Sequence, residues 1–269
     1  MLKPNRALLF LSCCLTAFLF AAVTTLAAPP APVIKVSALR SHPHNSSHFT
    51  QGLFFHNGKL YESVGRYGES LLAVKDPQSG KSLKEARLGQ AFFGEGSTVA
   101  AGHIYMLTWR EQTAFIFNPD TLVVEGWFNY PGEGWGLPYD GRRLIRSDGS
   151  DTLYFHGLNG EGLGSLKVRD GNEPVRYLNE LEWIPAQNLI LANIWTTPLI
   201  VAIDPESGKV RFKLDISALV PPELRGSAEA VPNGIALAPD GKTLWLTGKL
   251  WPVIYEAAWP PGGAGTLRE

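Results

Sequence analysis

FTQGLFFHNGKLYESVGRYGESLLAVKDPQSGK, residues 49–81, strings together apolar runs of strand length with a turn after each one. Alternating aromatic and aliphatic residues in QGLFF and LYESV, and the run LLAVK, give the period-two pattern of strands. HNGK and DPQSGK place Asn, Asp, Pro and Gly at the bends, where a hairpin needs residues that fix or invert φ. Strands joined this tightly form an antiparallel meander. One small meander cannot bury its own apolar face, so it has to stack against something similar.

The chain supplies that partner by repeating the phrase. Gln51, Glu95, Trp135, Asn179 and Asn233 each sit beside a small or turn residue at the start of an apolar run, 40 to 54 residues apart. A second strand follows in each repeat, such as IYMLTW, LILANIW or TLWLTGK, and a third in most, such as AFIFNPD or LIVAIDP. Asp76, Asn118 and Asp204 open the same turn 23 to 25 residues after their register residues. A period of this length built from short strands predicts an all-β, five-bladed β-propeller of four-stranded antiparallel blades over residues 49–269. HGLNGEGLG at 156–164 reads as an elongated surface loop, SHPHNSSH at 41–48 as a polar loop, and DISALVPPEL as the one helical stretch, cut short by Pro221 and Pro222. Segment 29–48 is a Pro-rich spacer with a first strand, and 33–40 is a source for the outer strand of the last blade.

Composition narrows the function. In 269 residues there are 24 basic and 25 acidic side chains, net −1, so neither a nucleic-acid groove nor attraction to a charged bilayer is expected. Lys3 and Arg6 precede the apolar stretch from Ala7 to Ala22, and Thr25-Leu26-Ala27 ends it with small residues. Residues 1–28 therefore read as a signal peptide, with an uncleaved anchor as the alternative. The expected product is an exported, periplasmic or secreted monomer with no stable membrane insertion. Cys13 and Cys14, the only cysteines, lie in that leader, so neither a disulfide nor a cysteine nucleophile is expected in the mature domain.

Equivalent positions of successive blades converge on one axis, so residues far apart in sequence line one site. The set at the inner strands is Phe49 and Gln51, Phe93 and Glu95, Trp135, Asn179 and Asn233. The set ending the next strands is Trp109, Ser147 and Asp148, Trp195 and Lys249. Together they predict an apolar pocket with few polar groups, the usual form of a small-molecule site. Glu95, framed by Gly94 and Gly96 beside Phe93, is the candidate acid/base, because desolvation moves a carboxylate toward useful proton affinity. Lys249, before Leu250-Trp251-Pro252, is the candidate cation. Asn233 is the register residue most readily explained as structural. Glu180 and Glu182 flank Leu181 on a strand, and at most one of them is expected to face inward.

No metal or other cofactor is expected. His42, His44 and His48 cluster, but no carboxylate lies among them in sequence. HExxH, P-loop, GxSxG and dinucleotide motifs do not occur. An exported, non-catalytic ligand- or partner-binding propeller and a metal-dependent propeller hydrolase remain as alternatives.

FTQGL, FGEG, LTW, GEGWGL, SDGS with TLYF, NELEW, NIW and TGKLWP, in this order from Phe49 to Tyr255, closely resemble the plant and bacterial type of glutaminyl-peptide cyclotransferase. That resemblance implies a five-bladed propeller that cyclises an N-terminal glutamine, peptidic or free, to pyroglutamate with release of ammonia and without a cofactor. By motif it implies Glu95 as the acid/base and Lys249 as its partner. It also implies Phe49, Gln51, Phe93, Trp109, Trp135, Asn179 and Trp195 as substrate-binding residues.

Overall fold

The computed structural model describes residues 28–259. All but the last residue of the expected leader, and with it both cysteines, lies outside that range. Five sheets stand around a central axis. Blade I is Thr50–His56, Lys59–Val64, Leu71–Lys75 and Ser82–Arg87; blade II is Gly94–Ala100, His103–Thr108, Thr113–Phe117 and Val124–Asn129. Blade III has Leu144–Arg146, Thr152–His156 and Gly162–Lys167, completed inside by the irregular segment 135–139, held by Trp135 N–H to Ser147 O at 3.0 Å and Ile145 N–H to Pro138 O at 3.0 Å. Blade IV is Leu178–Ile184, Leu189–Ile194, Leu199–Ile203 and Val210–Asp215; blade V is Pro232–Leu237, Thr243–Gly248 and Val253–Ala258.

The N-terminal segment closes the ring. Val33–Lys35 adds in parallel to the outer edge of blade IV, and Ala38–Pro43 pairs antiparallel with Val253–Ala258 as the fourth strand of blade V. Residues 41–43, expected in a polar loop, are therefore strand. His42 is drawn inward there, stacked on Trp245 at 4.3 Å and 2.6 Å from Glu256 Oε1. Two local expectations change as well. Only 157–161 of HGLNGEGLG is loop, because Gly162 already pairs with His156, and DISALVPPEL forms two single 3-10 turns, Ser217–Leu219 and Pro222–Leu224.

Each gap between neighbouring blades holds its own apolar cluster. Phe54, Tyr61 and Leu72 of blade I meet Ile104, Met106 and Phe117 of blade II, and Tyr105 and Leu107 meet Leu137 and Leu144 of blade III. Ile145 and Leu153 meet Leu181 and Ile190 of blade IV, Leu191 and Ile200 meet Ile235 and Leu246 of blade V, and Trp245 and Ile254 return to Leu53 and Leu60 of blade I. Each fully buried aliphatic contributes about 1.5–3 kcal/mol, and no blade could collect that contribution alone. The ring thereby holds its innermost strands at fixed spacing.

The inner strands share a second feature that matters more for function. The pairing register shifts between Thr50 and Gly52, Gly94 and Ser97, Leu178 and Leu181, and Pro232 and Ile235. Gln51, Glu95, Asn179 and Asn233 each lie in one of these bulges. A bulge adds an unpaired residue and re-aims its side chain, so the repeat that builds the blades also aims the functional groups at the axis.

Candidate active site

One hydrogen bond recurs just above the bulges. Gly65, Trp109, Trp195 and Lys249 follow the second strands of blades I, II, IV and V, and each donates its N–H to the carbonyl of Phe49, Phe93, Tyr177 or Val231 at 2.9 Å. The four acceptors stand two residues before Gln51, Glu95, Asn179 and Asn233. The two sets of residues are thus tied together through the backbone at one end of the channel, where a cavity of about 550 Å³ opens.

Phe49, Gln51, Phe93, Glu95, Trp109, Trp135, Asn179, Trp195 and Lys249 all line this cavity. Asn233 does not: its Nδ2 donates to Thr50 O at 2.9 Å and to Gln51 Oε1 at 3.2 Å, bracing Gln51. Ser147 and Asp148 also stay out of the cavity lining. Ser147 Oγ joins the inner strands of blades III and IV, donating to Asn179 O at 2.6 Å and accepting from Gly136 N at 2.7 Å, and Asp148 Oδ1 caps Ser150 N at 3.0 Å.

Gln51 Nε2 in turn donates to Glu95 Oε1 at 3.0 Å. Glu95 is buried, and burial pushes its carboxyl well above the ordinary range. The Lys249 ammonium pulls it back, and the nearby Glu133 and Glu111 carboxylates push it further up. Burial lowers Lys249 to about 8, with Glu95 opposing and Arg66 adding to the fall. Two groups of opposite type are therefore moved toward each other and toward neutral pH, the pattern expected where protons are exchanged.

The walls are aromatic. Trp135 and Trp195 meet edge to face at 5.7 Å, and Phe93 contacts Trp109 at 5.5 Å and Phe49 at 6.3 Å. Glu133 Oε2 accepts from both indoles, Trp109 Nε1 at 2.7 Å and Trp135 Nε1 at 3.0 Å, so one carboxylate sets the angle between two walls. Gly65 occupies the place that Trp109, Trp195 and Lys249 hold in their blades. A Cβ there would strike the Phe93 ring, so its absence admits that ring to the cavity. The side-chain oxygen of buried Asn179 has no hydrogen-bond partner among the described residues, which leaves an acceptor open to a ligand.

A match to the family described as glutamine cyclotransferase covers residues 9–258. The chain belongs to the glutamine cyclotransferase family. Arabidopsis thaliana glutaminyl-peptide cyclotransferase is 34% identical over 232 residues, 82% of this chain and 70% of the plant protein. The crystal structure of Myxococcus xanthus glutaminyl cyclase superposes with a TM-score of 0.78 at 36% identity, covering 84% of this chain and 97% of that one. The five-bladed propeller with four-stranded antiparallel blades expected of a glutamine cyclotransferase is the architecture found.

Three cavity residues escaped the reading of the sequence: Arg66, Ala228 and Glu229. Arg66 hides behind Gly65, which takes the register position. Ala228 and Glu229 belong to the connection between blades IV and V and obey no repeat. Glu133 was equally hidden, although GEGWGL places it two residues before Trp135.

Two expectations about other polar groups need correction. Glu180 and Glu182 both face the channel, since residues two apart on a strand share a face. Glu180 accepts from Leu53 N at 3.3 Å and Ile235 N at 2.9 Å, and Glu182 from Leu237 N at 2.8 Å; burial raises both carboxyls, Glu182 to about 8. The carboxylate missing from the histidine cluster comes from the neighbouring strand. Ligand atoms of His44, His48 and Glu62 lie within 4.8 Å of one another. Glu62 nevertheless already carries a cation: the Lys75 ammonium contacts Oε2, and Thr50 Oγ1 donates to Oε1 at 2.8 Å. Burial would raise this carboxyl, but the charges of His44 and Lys75 and the histidine hydrogen bonds hold it well below the usual range. A metal ion here would have to displace a buried lysine. His44 Nδ1 lies 2.6 Å from Trp251 O, and Leu250 N–H donates to His48 O at 2.8 Å, so the cluster braces the turn that follows Lys249.

Proposed function

We propose that this protein converts an N-terminal glutamine into pyroglutamate with release of ammonia, using Glu95 as the proton-transfer group and Lys249 as its electrostatic partner. The observation that carries the reading is the buried Glu95 carboxyl, with raised proton affinity, sharing one tryptophan-walled cavity with Lys249 in a chain of the glutamine cyclotransferase family.

The chemistry requires few parts. The α-amine attacks the γ-carboxamide carbon, a C–N bond forms in the five-membered ring, and the bond to the amide nitrogen breaks. The amine loses a proton, and the leaving nitrogen gains one because an amide anion is too basic to depart. Glu95 takes the first proton and delivers it to the second site, so the carboxylate is regenerated and ammonia leaves. The α-ammonium has a pKa of about 8, so a useful fraction of substrate reaches the site as the neutral nucleophile. Its nitrogen becomes far more acidic once the C–N bond forms, so that proton passes readily to Glu95 and protonation of the leaving group governs the rate.

Lys249 stabilises the oxyanion of the tetrahedral intermediate, a contribution of about 2.7–4 kcal/mol for a well-aimed donor. Trp109, Trp135 and Trp195 fold the glutamine side chain back over its amine, which supplies the near-attack geometry that ring closure depends on. Asn179 accepts from a substrate N–H, and Gln51 holds Glu95 in place.

No step calls for a metal, and turnover in the presence of a chelator tests this. Among the described residues no helix is long and apolar enough to cross a membrane. We infer export from the leader and expect a mature, monomeric chain beginning at Pro29, which intact mass measurement of secreted protein checks. An ammonia assay on Gln-Xaa peptides tests the activity itself.

A further inference from the structure

Phe49 is approached by two cations: Lys249 Nζ lies 4.5 Å and Arg66 Cζ 4.6 Å from its ring centroid. The proposed chemistry occupies the first and leaves the second unused. Arg66 sits at φ 90°, in the left-handed region that favours glycine. Its carbonyl is fixed by Ser70 Oγ at 2.6 Å and Glu69 N at 3.1 Å. Thr196 and Leu250, also one residue past the register position, share this turn with φ of 68° and 61°. Blade I alone uses it to aim a guanidinium at the cavity.

The guanidinium is only partly committed. Arg66 Nη2 donates to Glu229 Oε2 at 2.6 Å, and among the described residues its other nitrogens have no hydrogen-bond partner. The side chains are 35% and 68% exposed. An ion pair this open contributes about 0–1 kcal/mol, so a second carboxylate can join or replace Glu229 at little cost. With Glu95 on the α-amine and the tryptophans on the side chain, the substituent of the α-carbon is the part of the substrate left to face Arg66.

We propose that Arg66, held by Glu229, is the specificity-determining residue that reads the group on the carboxyl side of the substrate glutamine and favours a carboxylate there. That carboxylate is the α-carboxylate of free glutamine or an acidic side chain at the second position. This inference rests on the cyclotransferase reading of the cavity.

The test is kcat/KM for ammonia release in two matched pairs. Free glutamine against glutaminamide isolates the α-carboxylate, and Gln-Glu-amide against Gln-Gln-amide isolates the second side chain. Arg66→Ala should lower kcat/KM for the charged member of at least one pair about tenfold more than for its neutral partner. Glu229→Gln should move the same ratio in the opposite direction, and Arg66→Lys should retain part of it. Equal losses on charged and neutral substrates would overturn the assignment while leaving the activity in place. A wild-type protein inert on all four substrates would overturn the cyclotransferase reading, and the role of Arg66 with it.

Discussion

Gln51 Nε2 and Glu95 Oε1 are 3.0 Å apart, joining the bulge of blade I to the bulge of the neighbouring blade II. Asn233 extends the relay from blade V by donating to Gln51 Oε1 at 3.2 Å. Three register residues thus form one chain of hydrogen bonds ending on the proposed acid/base. Replacing Gln51 with Leu removes a bond to a charged acceptor, a class worth about 1.5–3 kcal/mol. We expect kcat for Gln-Xaa to fall roughly tenfold to a hundredfold with a much smaller change in KM, as steady-state kinetics would show. A KM effect alone would assign Gln51 to ground-state binding.

Charge around Glu95 makes opposite predictions for two neighbours. Lys249 lowers the Glu95 carboxyl and Glu133 raises it. Lys249→Met should therefore move the acidic limb of the kcat/KM profile to higher pH, and Glu133→Gln should move it to lower pH. In the wild type the alkaline limb should fall above about pH 8, as Lys249 loses its proton. Glu133→Gln should also raise KM, because the charged acceptor shared by Trp109 and Trp135 is lost. Shifts of the same sign in both variants would contradict this electrostatic picture.

Gly65 is where space substitutes for a side chain. A Cβ at this position collides with Phe93 and lies 3.0 Å from Gln51 Cγ. Overpacking of this kind costs about 1–3 kcal/mol, and a displacement of about 1 Å near reacting groups can cost a hundredfold in rate. Gly65→Ala is expected to lose roughly ten to a hundredfold in kcat/KM while unfolding cooperatively only a few degrees lower. Thermal denaturation beside the kinetics separates the two effects.

The sequence showed the ring and most of its site because a propeller stacks equivalent positions. Glu95, Trp109, Trp195 and Lys249 announce themselves by register alone. Arg66 and Glu229 did not, for physical reasons: one sits a residue past a glycine that occupies the register position, the other in a connection that belongs to no blade. Of the Glu62 cluster only the histidines were visible, because Thr50, Glu62 and Lys75 lie on three successive strands of blade I that the meander brings beside the His44–His48 loop, and ring closure adds the turn after Lys249. The pairing of Glu180 with Glu182 was available from strand periodicity and was misread.

That cluster carries a stability prediction. Lys75→Met leaves the buried Glu62 carboxylate without its ammonium, and breaking a buried pair costs about 3–5 kcal/mol. The wild type should lose stability on acidification with a defined sign. Glu62 is held well below its ordinary value, so its contribution is complete above about pH 4.5 and is lost as the pH falls through the folded value. Denaturant titrations at several pH values check both statements. Chelator should leave stability and turnover unchanged, because the cation at Glu62 is Lys75.

The central claim is that Glu95 carries the proton from amine to leaving nitrogen. Glu95→Gln preserves size and removes only the exchangeable carboxyl, so ammonia release from Gln-Xaa at neutral pH is the most direct measurement. Wild-type protein should release ammonia, and the variant, with an unchanged circular dichroism spectrum and cooperative unfolding, should lose at least about a hundredfold in kcat. A folded variant with wild-type turnover would contradict that claim.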